Sequence, residues 1–517
     1  MNTLLLKISS IFGAMRLLLV LIVSISTLVS CENGFDQLNI NKTNPTAINP
    51  VFSLNNALIN SSFNQSSILY EMGIVQQLVT PNSGFVTGAN FNQDNRDQTN
   101  GNWVKFFQSA IRHTQDVLNQ KATLENRPNL IQMARILQAY NFMVLTDTYG
   151  DIPYSEAGKG YSELILYPKY DTQQSIYTDI IKELNEASTA LDASQPIETA
   201  DVLYGGNVTQ WKKFANSLLL RAGMRLVKAD VALAMQTAVK AIEGGLIDAN
   251  ADNAIIRHDA NYTNPIGVTL NSTEAANLYL TAPFVNQLKS TNDPRLRAIA
   301  VRYVGAKSGP EQKAAIASTD PAVQVGMPIG YDNATIGTKV TELNLASFYD
   351  FSQVDRTRMA KILAPTFLVT ASQTQLLLAE AVQRGWTTGD VAELYNKGVR
   401  LHMEQMALFD ANSTVTTQQA DAYLNANPFD ESKALEQINT QYWISSFLNG
   451  PETWANFRRS GFPALTPNPY PGKTIKGNFI NRLTYPNSEI SVNKTNVDAA
   501  ISRQGADDLD SKVWWDK

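Results

Sequence analysis

The chain contains very little cysteine and histidine. Its 517 residues include one cysteine, Cys31, and three histidines, His113, His258 and His402, which stand far apart. A single cysteine has no partner for an intramolecular disulfide. Three separated histidines without further cysteines lack the ligand spacing of a zinc or other transition-metal site. The sequence therefore predicts no disulfide framework, no transition-metal centre and no cofactor.

Charge is also scarce. Charged residues make up 17% of the chain and the formal net charge is −5. Soluble domains typically contain about 25% charged residues. No basic stripe is available to neutralise phosphates, so nucleic acid is not expected as a partner. Asn, Gln, Ser and Thr replace the missing charges, and the sequence predicts a polar, nearly neutral surface.

Familiar catalytic motifs are missing as well. There is no Gly-x-Ser-x-Gly elbow, no Walker loop and no His-Glu-x-x-His helix. The 47 acidic residues include no local pattern that picks out the carboxylate pair of a glycosidase. The sequence therefore predicts a protein that is not an enzyme.

The stretch DANADNAIIRHD at 248–259 resembles an EF-hand calcium loop, with acidic or amide residues at its first, third and fifth positions. However, Asn253 replaces the glycine that turns such a loop, and Asp259 replaces its bidentate glutamate. A polar turn is the preferred interpretation, and a structural calcium ion is the alternative.

One clearly apolar run is present, and it lies directly before Cys31. Lys7 and Arg16 give the N-terminal region positive charge, residues 17–28 are mostly apolar, and a small serine precedes the cysteine. This order is typical of a secretory signal peptide. At about a dozen residues the run is shorter than the roughly 20 that span a bilayer. The sequence LVSC at 28–31 resembles a bacterial lipobox, in which the cysteine thiol is acylated.

The lipobox predicts that Cys31 receives a diacylglycerol and becomes the mature N-terminus. Each buried methylene contributes about 0.8 kcal/mol, so two or three acyl chains together anchor a protein almost permanently. A plain signal peptide with an incidental cysteine is the alternative. Met15 could equally be the true start, because the signal features follow it. No later stretch is long and apolar enough to cross a membrane.

The first half of the mature chain has the periodicity of successive amphipathic helices separated by turn signals. The third helix has two adjacent apolar stripes, which implies packing against more than one neighbour. The fourth begins at Asp171, with Gln174 three residues later, which fits a capping box. The predicted helices are 51–80, 103–121, 128–148, 171–191, 209–228 and 231–244.

A helical hairpin is predicted at 376–406, with a turn at 385–389 and Asp390 as the cap of its second helix. Its small and aromatic residues resemble a tetratricopeptide repeat, although no period of about 34 residues is visible. Residues 246–370 lose the long periodicity and are predicted to form loops and short elements. The Pro- and Gly-rich stretch 461–486 is not expected to form helices.

The predicted fold class is mainly α, a tetratricopeptide-like scaffold of helical hairpins (an α/α superhelix) with a loop-rich, irregular second lobe. The mature chain is long enough for a large core. The predicted organisation is a lipoprotein signal peptide at 1–30, a lipidated linker at 31–50, a helical scaffold at 51–245, an irregular ligand-binding lobe at 246–370, a helical hairpin completing the scaffold at 371–410 and a loop-rich C-terminal region at 411–517.

Aromatic residues in polar loops are the candidates for ligand binding. Most of the 7 Trp, 19 Tyr and 20 Phe are expected in the core, because large rings bury the most area. Residues 81–103 instead place rings among Asn, Gln, Asp and Arg. Such rings suit sugars, whose C–H faces stack while their hydroxyl groups form hydrogen bonds; they also suit peptides, and local packing is the alternative for each ring. The predicted ligand-binding residues are Phe85, Phe91, Asn92, Asp94, Arg96, Tyr262, Tyr331 and Tyr349.

Several sequence blocks follow one another along almost the whole mature chain. They are ARILQAYNFMVLTDTYGDIPYSEA (134–157), YDTQQSIYTDIIKELNEA (170–187), YGGNVTQWKKFANSLLLRAGMRL (204–226), NDPRL (292–296), LLLAEAVQRGW (376–386), YNKGVRLHMEQM (395–406), INTQYWISSFLNGPETWANFRRSGFP (438–463), NRLTYPNSE (481–489) and VWWDK (513–517). In this order, the chain resembles the SusD/RagB outer-membrane lipoproteins of Bacteroidetes, in their SusD-like second branch.

Most of these blocks are expected to be architectural. Asp147 and Asp151 flank a Tyr-Gly turn and are expected to fix it by accepting hydrogen bonds from backbone N–H groups. Arg458 and Arg459 are expected to pair with carboxylates or to cap a helix C-terminus.

The resemblance implies a tetratricopeptide-like scaffold with an irregular second lobe. It also implies a non-catalytic lipoprotein on the outer face of the outer membrane, which captures oligosaccharides over a SusC-type TonB-dependent transporter for import. Some relatives take oligopeptides instead. Ligand contacts in familiar members come from a loop after the first helix and from the second lobe, which favours 81–103 and about 260–350 here. A surface glycoside hydrolase is the rival from another class.

Overall fold

The computed structural model describes residues 48–81, 88–272 and 278–517. Pro50–Lys517 form one compact unit, and of the residues before it only 48 and 49 are described. The predicted signal peptide, Cys31 and most of the linker therefore lie outside the described residues. Within the described ranges, no helix has the length and apolar character needed to cross a membrane. Helices dominate the compact unit, which confirms the mainly α fold class.

The first elements differ from the predicted single helix at 51–80. They are α1 (Pro50–Asn60), α2 (Gln65–Leu69), α3 (Glu71–Ile74), β1 (Leu78–Val79), α4 (Arg96–Lys105), a π-helical turn (Phe106–Ile111) and α5 (Arg112–Asn119). The prediction of one helix is wrong because polar side chains interrupt it. The Ser61 hydroxyl donates to the Ala57 carbonyl at 2.8 Å. Asn64 then caps α2 by accepting a hydrogen bond from the Ser66 N–H at 3.0 Å.

The next long helices begin and end within about three residues of their predicted positions. The elements are α6 (Pro128–Tyr149), β2 (Ile152–Pro153), β3 (Tyr170–Asp171), α7 (Gln173–Ala190), α8 (Val208–Arg225) and α9 (Val231–Glu243). The predicted N-cap of α7 is wrong by one residue. Thr172 is the cap, and its hydroxyl accepts a hydrogen bond from the Ser175 N–H. The Asp171 carboxylate instead accepts one from the Ser155 N–H at 2.8 Å.

The middle of the chain consists of short elements, as its lost periodicity predicts. They are β4 (Ala254–Ile256), α10 (Pro265–Leu270), β5 (Tyr279–Leu280), α11 (Ala282–Ser290), α12 (Arg295–Ile299), β6 (Ala300–Tyr303), β7 (Ala317–Ser318), α13 (Ile336–Glu342), β8 (Gln353–Val354) and β9 (Thr366–Val369). The strands form antiparallel pairs β1–β5, β2–β3 and β4–β9 and a three-stranded sheet β7–β6–β8. The β1–β5 pair joins the segment after the first helices to this middle region.

The C-terminal part contains more helix than its Pro and Gly content suggests. Its elements are α14 (Ala371–Gln383), α15 (Val391–Phe409), α16 (Thr417–Ala426), α17 (Ala434–Ser445), α18 (Gly450–Ser460), α19 (Asn487–Val492) and α20 (Lys494–Gln504). The predicted hairpin is present as α14 and α15, with Asp390 capping α15 through the Glu393 N–H at 3.0 Å. The helices at 411–517 differ from the expected loop-rich region, because the helix-breaking residues are concentrated in 461–486, where no helix forms.

The long helices pack in neighbouring pairs, which gives the predicted hairpin arrangement. Contacts join α6 to α7, α7 to α8, α8 to α9 and α14 to α15. Helix α14 also contacts α8 and α17, so the late hairpin completes the same helical layer. The two apolar stripes of α6 are buried, and its residues are covered along most of its length.

Charged side chains are buried inside this helical core. The Arg459 guanidinium donates hydrogen bonds to both carboxylate oxygens of Glu380, at 2.6 and 2.7 Å. Arg458 donates to the Asp147 carbonyl at 2.7 Å. Arg459 therefore pairs with a carboxylate, and Arg458 binds a carbonyl in the last turn of α6. Each arginine takes one of the two roles that the sequence predicts.

The two aspartates of the Tyr-Gly turn also differ from each other. Asp151 accepts a hydrogen bond from the Gln173 N–H at 3.0 Å, as predicted. The Asp147 carboxylate instead accepts from the side chains of Arg225 at 3.1 Å and Trp515 at 2.8 Å. The expectation of backbone partners is therefore wrong for Asp147, whose partners come from distant parts of the chain.

Candidate functional site

Three loops that are far apart in sequence meet beside the β1–β5 pair. They are residues 88–95, which follow β1, residues 327–331 in the middle region, and residues 466–474, which follow α18. Hydrogen bonds between their backbones and side chains join all three. We call the surface that they form together the loop face.

The side chain of Asn90 joins these loops to one another. Its amide N–H groups donate to the carbonyls of Thr80 at 2.8 Å and Tyr331 at 3.0 Å. Its oxygen accepts a hydrogen bond from the Gly330 N–H at 2.9 Å. The Asn468 amide donates to the Asn90 carbonyl at 2.7 Å, which ties the third loop to the same residue. Satisfied buried amide networks of this kind hold a surface in one conformation.

Gly330 lies at a close approach between two of the loops. Its φ is +82°, a left-handed conformation that glycine adopts without steric cost. A Cβ atom at this position would lie 2.5 Å from the Asn468 Oδ1 and 3.0 Å from the Pro469 Cδ. Only a residue without a side chain fits this junction.

We expect Gly330→Ala to separate the loops while the helical scaffold stays folded. Left-handed strain and overpacking each cost about 1–3 kcal/mol. Hydrogen–deuterium exchange should show faster exchange at 88–95 and 466–474. Gly385→Ala is the matched control, because Gly385 has a φ of +72° but no heavy atom within 4 Å of its Cβ position. Equal exchange in the two variants would contradict the role assigned to Gly330.

An aromatic pair forms the centre of the loop face. The rings of Phe91 and Tyr470 are stacked, with centroids 4.0 Å apart and planes inclined by 9°. Phe91 is only 7% exposed, whereas Tyr470 is half-buried. Phe91 therefore supports one face of Tyr470, and Tyr470 is the ring that reaches solvent.

The polar residues predicted from the same segment mainly hold the loops together. The Asn92 carbonyl accepts hydrogen bonds from the Thr474 N–H and hydroxyl at 3.0 and 3.1 Å. The Asp94 carboxylate accepts from the Thr484 hydroxyl at 2.7 Å, and burial raises the pKa of this carboxyl group. Arg96 forms an ion pair with Asp507. These side chains are engaged within the protein, with Asp94 still partly accessible.

Tyr331 packs on a small second core formed by Val79, Tyr279, Met327, Ile336 and Phe351, whereas Tyr349 packs on a separate cluster formed by Val301, Tyr303 and Ala306. The Lys339 ammonium lies 5.8 Å from the ring centroid of Tyr331. Tyr349 also stacks on Phe348, which packs on the second core, at a centroid distance of 4.1 Å. Both rings are half-buried.

The other predicted residues fall elsewhere. Tyr262 is 49% exposed, in a turn whose carbonyl is 2.9 Å from the Nδ1 atom of His258, and no described contact joins it to the loop face. Phe85 lies outside the described residues. The structure thus brings Phe91, Asn92 and Tyr331 together and leaves Tyr262 apart.

Tyr470, Asn468 and Asn90 were not among the predicted site residues. The available signal was the stretch PNPYPG at 467–472, in which a tyrosine stands between prolines without apolar periodicity. The criterion that selects Phe91, an aromatic ring in a polar loop without apolar periodicity, also selects Tyr470. No feature of the sequence indicates that Asn90 and Asn468 form hydrogen bonds between loops.

The stretch that resembles a calcium loop is held by a lysine. The Lys213 ammonium lies 2.9 Å from the Asp248 carboxylate and 2.7 Å from that of Asp252. These ion pairs engage two of the carboxylates that a calcium ion would need, which favours the polar turn. Over 48–81, 88–272 and 278–517, no group of three or more His, Cys, Asp or Glu side chains is arranged to hold a metal ion.

Comparisons with known proteins agree with the geometry of the fold. A SusD-like family model, described as starch-binding and associating with the outer membrane, matches residues 41–486. A solved chitin-binding protein is 28% identical, with a TM-score of 0.80 over 90% of this chain and 100% of that one. A SusD-like protein of Bacteroidetes is 26% identical, with a TM-score of 0.79 over 91% and 100% of the two chains.

A SusD homologue from Bacteroides uniformis is 25% identical, with a TM-score of 0.74 over 90% of this chain and 98% of the other. A search of curated proteins found no significant match. The likeness in three dimensions therefore extends over nearly all of the compact unit.

Proposed function

The chain belongs to the SusD-like family, and from this membership we propose that it captures oligosaccharides at the cell surface without cleaving them. It delivers them to a SusC-type TonB-dependent transporter of the outer membrane. A lipid on Cys31 anchors it in that membrane, with the helical body facing the cell exterior. Its ligands are neutral oligosaccharides, in keeping with the starch-binding description of the family and with the chitin-binding relative.

The observation that carries this proposal is the Phe91–Tyr470 stack on the loop face. A sugar ring presents C–H groups on its face and hydroxyl groups at its edge. The exposed part of Tyr470 offers an apolar ring to the C–H face, and the amide-rich loops around it offer hydrogen-bond donors and acceptors. Because Phe91 and Asn90 hold these loops in place, little entropy is lost when a ligand binds.

We expect Tyr470→Ala to weaken binding of maltohexaose or chitohexaose about tenfold, because loss of about 1.4 kcal/mol of stacking changes a dissociation constant by that factor. Isothermal titration calorimetry on the purified protein measures the change. The melting temperature should fall little, since Tyr470 is half-buried in a surface loop. Tyr262→Ala is the control, because this exposed ring has no described contact with the loop face.

Two results would redirect the proposal. Binding of oligopeptides, but of no oligosaccharide, would favour the peptide-binding alternative within the same family. Cleavage of a glycan that a single Asp or Glu substitution abolishes would favour a surface glycoside hydrolase.

A further inference from the structure

A second cleft lies between the α4–α5 segment and the loop that joins β2 to β3. Its volume is about 660 Å³, within the range of about 300–1,000 Å³ found for small-molecule sites. Its lining comes from residues 103–119 and 153–168, together with Ser488 and Glu489. None of these residues belongs to the loop face, so the cleft is a separate feature.

Aromatic rings form one wall and the mouth of this cleft. Trp103 and Phe107 have their ring centroids 4.8 Å apart. Trp103 is 4% exposed and fixed by edge contacts with Tyr149 and Tyr485 at 5.1 and 5.8 Å. Tyr161, in the β2–β3 loop, is 97% exposed. An almost fully exposed ring at the mouth of a cleft has no packing role that accounts for it.

The indole N–H of Trp103 is an unused donor. It forms no hydrogen bond with any residue in the described part of the chain, and it is not among the described polar atoms that are sealed from solvent. A ligand oxygen in the cleft would satisfy this donor. The ligand would gain one hydrogen bond from a donor that is otherwise without a partner.

The helix changes its geometry where it lines the cleft. Residues Phe106–Ile111 form a π-helical turn between α4 and α5. Such turns are rare and occur frequently at functional sites, because the extra residue per turn alters where the side chains project. Phe107 and Gln108 belong to this turn and line the cleft.

The charged side chains that line the cleft are one cation, Arg112, and two carboxylates, Asp116 and Glu489, of which Glu489 accepts a hydrogen bond from the Tyr170 hydroxyl at 2.8 Å. Gln108, Arg112 and Asp116 are exposed, and their side chains make no hydrogen bond or ion pair with other residues in the described ranges. His113 lies 2.8 Å from the Asn56 amide, and burial lowers the pKa of its imidazole, which is therefore neutral at pH 7. With two carboxylates and one guanidinium, this lining disfavours an anionic ligand and suits one without net charge.

We propose that this cleft is a second saccharide-binding subsite, which takes a neutral oligosaccharide between Phe107 and Tyr161 with the Trp103 indole N–H donating to it. The ligand class rests on the proposed function, whereas the location rests on the cleft itself. The cleft brings together aromatic rings, the indole N–H of Trp103, and the side chains of Gln108 and Asp116, which have no partner in the described ranges. A sugar can stack on the rings and form hydrogen bonds with the polar groups. The protein would then hold an extended glycan at two places.

Fluorine NMR of the full chain labelled with 5-fluorotryptophan tests this subsite directly. The protein has seven tryptophans, and Trp103→Phe identifies the signal of Trp103. Titration with maltohexaose and chitohexaose should shift that signal in the wild type and also in Tyr470→Ala. Tyr161→Ala should weaken the response about fivefold, which corresponds to roughly 1 kcal/mol of stacking.

Tyr167→Ala is the matched control. Tyr167 is 59% exposed in the same loop but does not line the cleft, so the titration should not change. A Trp103 signal that stays fixed while calorimetry detects binding would overturn the subsite and leave the proposed function intact. Equal responses in wild type and Tyr161→Ala, or a response to oligopeptides alone, would also overturn it. Failure of every oligosaccharide to bind anywhere would remove both proposals.

Discussion

Arg459→Met is expected to lower the free energy of unfolding at pH 7 by about 3–5 kcal/mol, the usual cost of leaving a buried charge without its partner. Arg459 and Glu380 have almost no exposed side-chain surface. The methionine restores much of the volume but none of the hydrogen bonds. Glu380 would keep the Asn439 amide, which donates to it at 3.2 Å, and the ion pair with Arg384, whose side chain is partly exposed.

The decrease in the free energy of unfolding caused by Arg459→Met should depend on pH. Burial alone raises the pKa of Glu380, but its ion pairs with Arg459 and Arg384 bring that pKa down to about 2. An unfolded glutamate has a pKa of about 4.3. Ionised Glu380 therefore stabilises the fold above that pH, and this contribution disappears as the pH falls toward 2. Without Arg459 the protonated carboxyl is better tolerated, so the two proteins should differ more at pH 7 than at pH 3.

Urea unfolding at both pH values measures this difference. Arg400→Met is the control, because the Arg400–Asp421 ion pair is much more exposed and such pairs contribute no more than about 1 kcal/mol. If Arg459→Met lowered the free energy of unfolding no more than Arg400→Met does, the Glu380 ion pair would not stabilise the core. The same conclusion would follow if the effect of Arg459→Met grew as the pH falls.

Cys31→Ala is expected to move the protein from the membrane fraction to the soluble fraction. The predicted acyl chains are the anchor that the sequence indicates for the mature chain, and each buried methylene contributes about 0.8 kcal/mol. The compact unit begins at Pro50, so its melting temperature should not change. Fractionation of cells and metabolic labelling with a fatty acid measure the two effects.

The control for this experiment is Ser30→Ala, which keeps a small residue before Cys31 and should leave lipidation intact. A Cys31→Ala protein that remains with the membrane would argue for another means of attachment. A soluble wild-type protein without lipid would favour the plain signal peptide instead.

The helices could be predicted because their signals are local. The pattern at 128–148 lies within the single helix α6, and the turn at 385–389 connects the neighbouring helices α14 and α15. The prediction at 51–80 failed because Ser61 and Asn64 form hydrogen bonds with nearby backbone groups, and this competition overrides apolar periodicity. The N-cap of α7 was wrong by one residue because Asp171 found a partner in another segment.

The candidate site could be predicted only in part. The mixture of rings and polar residues selected Phe91 and Tyr331, which the loop face does contain. It could not show that Phe91 is covered by Tyr470, because that contact joins segments almost 380 residues apart. In the same way, the sequence predicted that Arg459 pairs with a carboxylate or caps a helix C-terminus, but it could not choose between these roles or name Glu380 as the partner.

The hydrogen bonds of Asn90 also have a consequence for the order in which parts of the chain are expected to fold. It joins residues separated by 241 and by 378 positions along the chain. Closing such long loops costs entropy before any contact is gained, and non-local contacts form slowly. We therefore expect the scaffold to assemble before these loops meet, because its contacts bring the distant segments close together. The Phe91–Tyr470 stack is then expected to be present only in molecules whose helical scaffold has already assembled.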